Sequence, residues 1–284
     1  MSEQPEPRTP HWKIWQQLPL HPQPAELESL TSYITRVAQA NGLTASAELV
    51  ALAGGTRSNW QTLRSFSDSS ATSVLGLTTL TGCTQTDLEA MTFLPLSRHF
   101  GRANSTQTLR RFLEGSLASH LRYCPLCLAE HDFPYYRLPW RFLILSGCPT
   151  HRCQFLDHCG HCDASIPHLP HYPQMAVCPT CRRDLRTCQP SPLSEDEERM
   201  LPRRTSDLIF LLSSPAPSQE GDARVAVGKR YSFIRQQRGL SLQEISSLTQ
   251  QSPKMLSEIE YAGLYKQETF LDHLQYAELL GTSL

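Results

Sequence analysis

The chain has 284 residues, 39% of them hydrophobic and 19% charged, which is enough apolar material for about two domains with a core. A formal net charge of −1 excludes a global field drawing the chain to nucleic acid, so any DNA contact has to come from a local patch. No run approaches the roughly 18 apolar residues of a membrane span, and the start MSEQPEPRTPHWK lacks the basic and apolar segments of a secretory signal, so the expectation is a cytoplasmic protein with no membrane partner.

Residues 1–24 hold Pro5, Pro7, Pro10, Pro19, Pro22 and Pro24, cannot sustain a helix and read as a Pro-rich tail, with Trp12 and Trp15 as docking side chains. From Ala25 the spacing turns helical: Leu27, Leu30, Ile34, Val37 and Ala38 predict one buried face, and Asn41-Gly42 ends it. A second helix is predicted from Ala45 to Ala53. The stretch SVLGLTTLTGCTQTDLEAMTF reads as a helix, a turn at Gly82, and a helix capped by Thr84 with Asp87 in its first turn. That shape suits a DNA-reading helix-turn-helix and a plain helical core equally well. Arg98, Arg102, Arg110 and Arg111 lie in a stretch without acids and are candidate phosphate contacts. Residues 25–115 thus read as a helical, helix-turn-helix-like module.

Residues 116–190 carry the chemistry. In a reducing compartment ten cysteines point away from disulfides, and all but Cys83 lie between Cys124 and Cys188. Four pairs share a two-residue gap: Cys124/Cys127, Cys148/His151, Cys159/Cys162 and Cys178/Cys181. Such a gap puts both donors on one side of a tight turn, within reach of bonds of roughly 2.3 Å, and two turns close a tetrahedron. Sequence order assigns Cys124, Cys127, Cys148 and His151 to one ion and Cys159, Cys162, Cys178 and Cys181 to a second, with an interleaved pairing as the alternative. Four protein donors leave no open position, so the expectation is two structural zinc ions and no catalytic site. Cys83, Cys153 and Cys188 are expected to be buried thiols, and His158, His161, His168 and His171 surface groups or supports for the ligands. In YYRLPWRFLILSGC, Tyr136, Trp140, Phe142 and Leu143 are expected to pack the fingers on the N-terminal helices, leaving Arg137 and Arg141 more exposed.

At these residues the chain resembles the TniQ/TnsD proteins, target-selection subunits of bacterial cut-and-paste transposons. The resemblance covers nearly all of residues 19–190 and rests on ESLTSYITRVAQANG, LTTLTGCTQTDLEAMTF, RYCPLCLAEHDFPYYRLPWRF and GCPTHRCQFLDHCGHC. It implies tandem zinc fingers behind a helix-turn-helix-like module, and a non-enzymatic adaptor in a bacterial cytoplasm. Its implied partners are target DNA or a CRISPR RNA-guided effector on one side and the transposon's AAA+ ATPase regulator on the other.

Residues 191–222, with Pro190 before them and Pro192, the acids Glu195 to Glu198 and Pro202 within, read as a linker of about 30 residues in which Leu208 to Leu212 is a short apolar piece expected to pack on the zinc region. Beyond it, 223–284 predicts a helix ending at Gly239, a second capped by Ser241 with Glu244 three residues on, a third opened by Ser252-Pro253, and a last amphipathic helix. Ile234, Leu240, Leu242, Ile245, Leu248, Leu256 and Ile259 are its expected core. This module resembles the Cro/phage-repressor type of helix-turn-helix domain, which implies Gln250, Gln251, Lys254 and Ser257 at base edges. Gln250 and Gln251 depart from that family's turn, and equal numbers of Lys/Arg and Asp/Glu over 222–284 give no basic bias. The expected fold is therefore mainly α with small zinc-ribbon-like fingers, and the expected function a transposition adaptor, with a zinc-containing transcriptional repressor as the alternative.

Overall fold

The computed structural model describes residues 17–69, 74, 76–102, 105–214, 220–249, 251–261 and 268–282. It is mainly helical. Among the described residues α1 (Leu30–Ala40), α2 (Ser46–Leu52), α3 (Arg57–Ser65), α4 (Leu77–Thr81), α5 (Gln85–Ala90), α6 (Leu94–His99) and α7 (Thr106–Phe112) precede the cysteine-rich region. There follow α8 (Pro125–Ala129) and a two-stranded antiparallel ribbon, β1 (Gly147–Cys148) and β2 (Cys153–Gln154). The chain then runs through α9 (Glu195–Ser213), α10 (Glu220–Gln237), α11 (Leu242–Thr249), α12 (Pro253–Tyr261) and α13 (Phe270–Leu279).

Local signals set these boundaries. Thr84 accepts from the Asp87 amide while Asp87 reaches back to Thr84, closing a capping box at the start of α5 just after Gly82 turns with φ 74°. Ser241 and Glu244 close the same box on α11. The helix predicted from Ala25 starts later, at Leu30 under a Ser29 cap, and Leu27 sits before it at φ 55° instead of on its buried face. The Pro-rich stretch is docked where it is described: Leu18 is buried among α1, α2 and α4 side chains and its amide bonds to Leu80 O at 2.8 Å. Trp12 and Trp15 lie outside the described residues.

The largest departure concerns the linker. Most of the segment from 191 to 222 is α9, capped by a Ser194/Glu197 box, with Glu195 to Glu198 in its first turn, where they complement the helix dipole. Pro202 removes one amide from its interior, yet Leu201, Leu208, Leu211 and Leu212 are buried in the main core and hold the helix together. The C-terminal helices are likewise not a tethered appendage. Phe270 at the start of α13 is fully buried among Phe100, Phe112 and Phe142, with ring centroids 5.7, 5.9 and 5.8 Å away. Beside it Arg102 and Glu268 form a buried ion pair. A smaller core of Tyr231, Ile245, Leu256, Ile259, Tyr276 and Leu280 joins α10 to α13, and Gly228 lets α10 approach so closely that a Cβ would strike the Glu260 carbonyl. Leu248, expected in that core, is 64% exposed.

Candidate metal centres

Each ligand pair is shaped by its own short turn. Cys124 is the N-cap of α8 and accepts from the Cys127 amide at 3.5 Å, with Pro125 opening the helix. The other three pairs share a different device: the residue four positions after the first donor bonds back to that donor's carbonyl with positive φ. Arg152 (φ 50°) bonds to Cys148 O at 2.9 Å, Asp163 (φ 60°) to Cys159 O at 2.8 Å, and Arg182 (φ 63°) to Cys178 O at 3.0 Å. Left-handed backbone is costly for arginine, and sequence gave no warning of it because no glycine stands at those positions. Gly147 is required for another reason, since a Cβ there would strike the Cys153 carbonyl across the ribbon.

The pairs assemble in sequence order. Donor atoms of Cys124, Cys127, Cys148 and His151 lie within 4.8 Å of one another, as do those of Cys159, Cys162, Cys178 and Cys181. Cys127 and Cys148 Sγ are 3.5 Å apart, and His151 Nδ1 is 3.3 to 3.5 Å from the three sulfurs. In the second cluster Cys159–Cys181 and Cys162–Cys178 are each 3.7 Å apart. A tetrahedron with bonds of roughly 2.3 Å has edges of about 3.8 Å, so both sets fit a four-coordinate ion. His151 turns Nδ1 to the sulfurs and holds Nε2 2.9 Å from Glu130 Oε1, the carboxylate support that fixes a ligand imidazole.

The electrostatics favour a cation at each centre. Bonds from the Cys124 and Cys127 thiols lower the Cys148 thiol far below its usual value. In the second cluster burial opposes ionisation, but the Cys181 and Thr180 amides and the neighbouring thiols bring Cys178 down to about 7. In each cluster the neighbouring thiols thus favour ionisation of one sulfur over the others. Cys83, Cys153 and Cys188 are buried, with Cys153 Sγ 3.7 Å from Cys124 Sγ outside the ligand set. His161 Nε2 lies 3.1 Å from Asp184 O beside the second centre, His158 pairs with Asp157, and His171 is exposed against Tyr172.

The bridge between the first two pairs packs largely as expected, with Tyr136, Trp140 and Phe142 buried. Leu143 is a correction at 51% exposed, and Arg141 another: it is 6% exposed and pairs with the fully buried Asp68. Asp68 also accepts from the Thr31 amide at 2.7 Å, and its carbonyl accepts from Phe93, so one residue ties α1, α6 and the finger bridge together.

The candidate DNA contacts separate. Arg102 is buried against Glu268, and Arg98 pairs with Glu89 at 2.6 Å, so neither forms a patch with the exposed Arg110 and Arg111. Gln251 is buried and donates to Asp272 Oδ1 at 2.8 Å, which removes it from a base-reading role because its amide holds α13. Gln250 lies outside the described residues. Lys254 is exposed and Ser257 half-buried on α12.

Residues 19–155 match the TniQ family. The match covers just under half of the chain, takes in α1 to α8 with the complete first cluster, and stops before the second. None of the curated proteins matches the chain. Among the described residues no helix is long and apolar enough to cross a membrane.

Proposed function

We propose that the chain is a non-enzymatic target-selection adaptor of a bacterial DNA transposon, linking target DNA or a CRISPR RNA-guided effector to the AAA+ ATPase regulator. The observation that carries this reading is the TniQ match over 19–155, which ties the N-terminal helices and the first metal cluster to transposition. Both clusters supply four protein donors, a donor set that suits structural zinc and leaves no position for substrate or water. Their part is to hold the surfaces of an adaptor in place.

The packing of α9 and α13 on the main core changes how such an adaptor works. With Phe270 locked among Phe100, Phe112 and Phe142, the C-terminal helices and the TniQ-like region move together, so effective concentration across a loose tether is not the linking device. The helix-turn-helix resemblance of α11 and α12 keeps a zinc-containing repressor as the second reading. ATPase loading onto target DNA by the full-length protein decides between them. An adaptor raises ATPase occupancy at the target, whereas a protein that binds an operator and leaves the ATPase in solution refutes the adaptor reading.

A further inference from the structure

An open cavity of about 340 Å³ lies where the C-terminal ends of α3 and α7 meet the turn before Leu117. Arg64, Arg110 and Arg111 line its mouth and are exposed; Arg141 and His168 line it from the buried side, at 6% and 8% exposure. Glu114 is the single carboxylate among its lining residues. No carboxylate pairs with Arg64, Arg110 or Arg111 among the described residues. Each stands in the last turn of its helix, but a helix terminus offsets only about half a charge, so the cavity stays cationic.

Two features mark this as a built site and not a solvated face. Arg110 is held in place, its guanidinium 5.3 Å over the Phe66 ring and donating to Ser65 O at 3.2 Å. Behind it Arg141 spends its Nη1 on Asp68 and leaves Nε buried with no acceptor. His168 Nδ1 is buried and unpartnered too. Because Nε2 faces the Ala118 carbonyl at 3.2 Å and carries the proton, Nδ1 donates only when the ring is charged. An anion in the cavity would meet three guanidinium groups that have no carboxylate partner and lie next to a buried donor that lacks an acceptor. Orphaned buried donors are rare in folded proteins and call for a partner.

We propose that this cavity binds a backbone phosphate of nucleic acid and fixes the TniQ-like region on a duplex independently of sequence. The source of the phosphate rests on the adaptor reading; the anion site does not. The test uses the full chain and a short fluorescent duplex of arbitrary sequence, titrated between about 50 and 200 mM salt. Wild type is compared with Arg64→Gln/Arg111→Gln and with Arg203→Gln, an exposed control on α9, after equal metal content and thermal midpoints show that all three fold. The double variant should bind roughly 10-fold more weakly at the low-salt end, with the slope of log K against log salt smaller by about 1. The control should match wild type, and inorganic phosphate should compete with the duplex.

Equal duplex affinity and slope in the double variant and wild type would overturn the proposal. So would loss of inorganic phosphate binding in the double variant with duplex binding unchanged, because the site would then serve a free anion. ATPase pull-down is scored separately: a double variant that keeps the ATPase but loses the salt slope supports the site, and a wild type that binds duplex through the cavity without recruiting ATPase removes the adaptor reading alone.

Discussion

The two cysteine clusters have the same spacing within their ligand pairs and differ in how far their ligands are buried. In the first, Cys124, Cys127 and Cys148 are buried within the main core, next to Trp140, Phe155 and the side chains under α9. In the second, Cys159 and Cys178 are buried in that same core with Ile166, Met175 and Leu185, but Cys162 is exposed and Cys181 half-buried. A structural metal contributes folding free energy to whatever its ligands organise. An ion in the first cluster would be enclosed by the body, whereas one in the second would have a ligand, Cys162, facing solvent.

The largest predicted effect breaks this symmetry. Cys127→Ser should remove one zinc and prevent the whole chain from folding stably, since structural zinc contributes on the order of 10 kcal/mol to a site. Cys162→Ser should also remove one zinc but leave a cooperative unfolding transition for the rest. Metal analysis with urea unfolding followed by near-UV circular dichroism checks both. Indistinguishable transitions in the two variants would show that the clusters are structurally equivalent.

The second effect concerns the junction between the TniQ-like region and the C-terminal helices. Phe270 is fully buried from solvent and packs against Phe100, Phe112 and Phe142. Phe270→Ala should cost about 3–5 kcal/mol and should shift the single unfolding transition of the whole chain. A transition that splits in two, with the zinc-bearing part unshifted, would return the C-terminal helices to the status of an independent module.

These junctions explain what could be read from sequence. Ligand pairs and capping boxes were legible because each is written within four residues, as in Cys124/Cys127 or Thr84/Asp87. The ion pairs that join regions were not, because Arg141 and Asp68 are 73 residues apart and Arg102 and Glu268 are 166 apart. Arg102 and Arg141 both read as surface charge for that reason. The linker reading of α9 failed differently: the apolar piece Leu208 to Leu212 does pack on the core, but the prolines and the acidic run before it signalled disorder by composition, whereas here the acids sit at a helix N-terminus. Composition cannot register which surface a segment will meet.

A third prediction uses His168, which joins the second cluster's loops to the cationic cavity. Burial, followed by the nearby Arg141 charge, lowers its pKa well below the ordinary imidazole value. Its depressed value means the folded chain resists a proton that the unfolded chain accepts. Stability from this residue is therefore complete above the unfolded value of about 6.5 and falls as pH drops below it, by at most about 1.4 kcal/mol per pH unit. Urea midpoints of the zinc-loaded protein between about pH 7.5 and 5.5 should fall less steeply in His168→Gln than in wild type. Parallel curves would place the acid sensitivity in the thiolate ligands alone.

The smallest effect tests α9 itself. Ser194 accepts from the Glu197 amide, and Glu197 returns the bond to the Ser194 amide at 2.9 Å, an exchange that a flexible linker would not make. Ser194→Ala removes the hydroxyl half of that box and should cost about 1 kcal/mol. The cost reaches the global transition only because Leu201, Leu208, Leu211 and Leu212 couple α9 to the main core. Loosening the first turn of an uncoupled segment would leave the urea midpoint where it was. A shift of the global midpoint of that size, with metal content unchanged, would show that α9 belongs to the body, and an unmoved midpoint would show that it is a spacer after all.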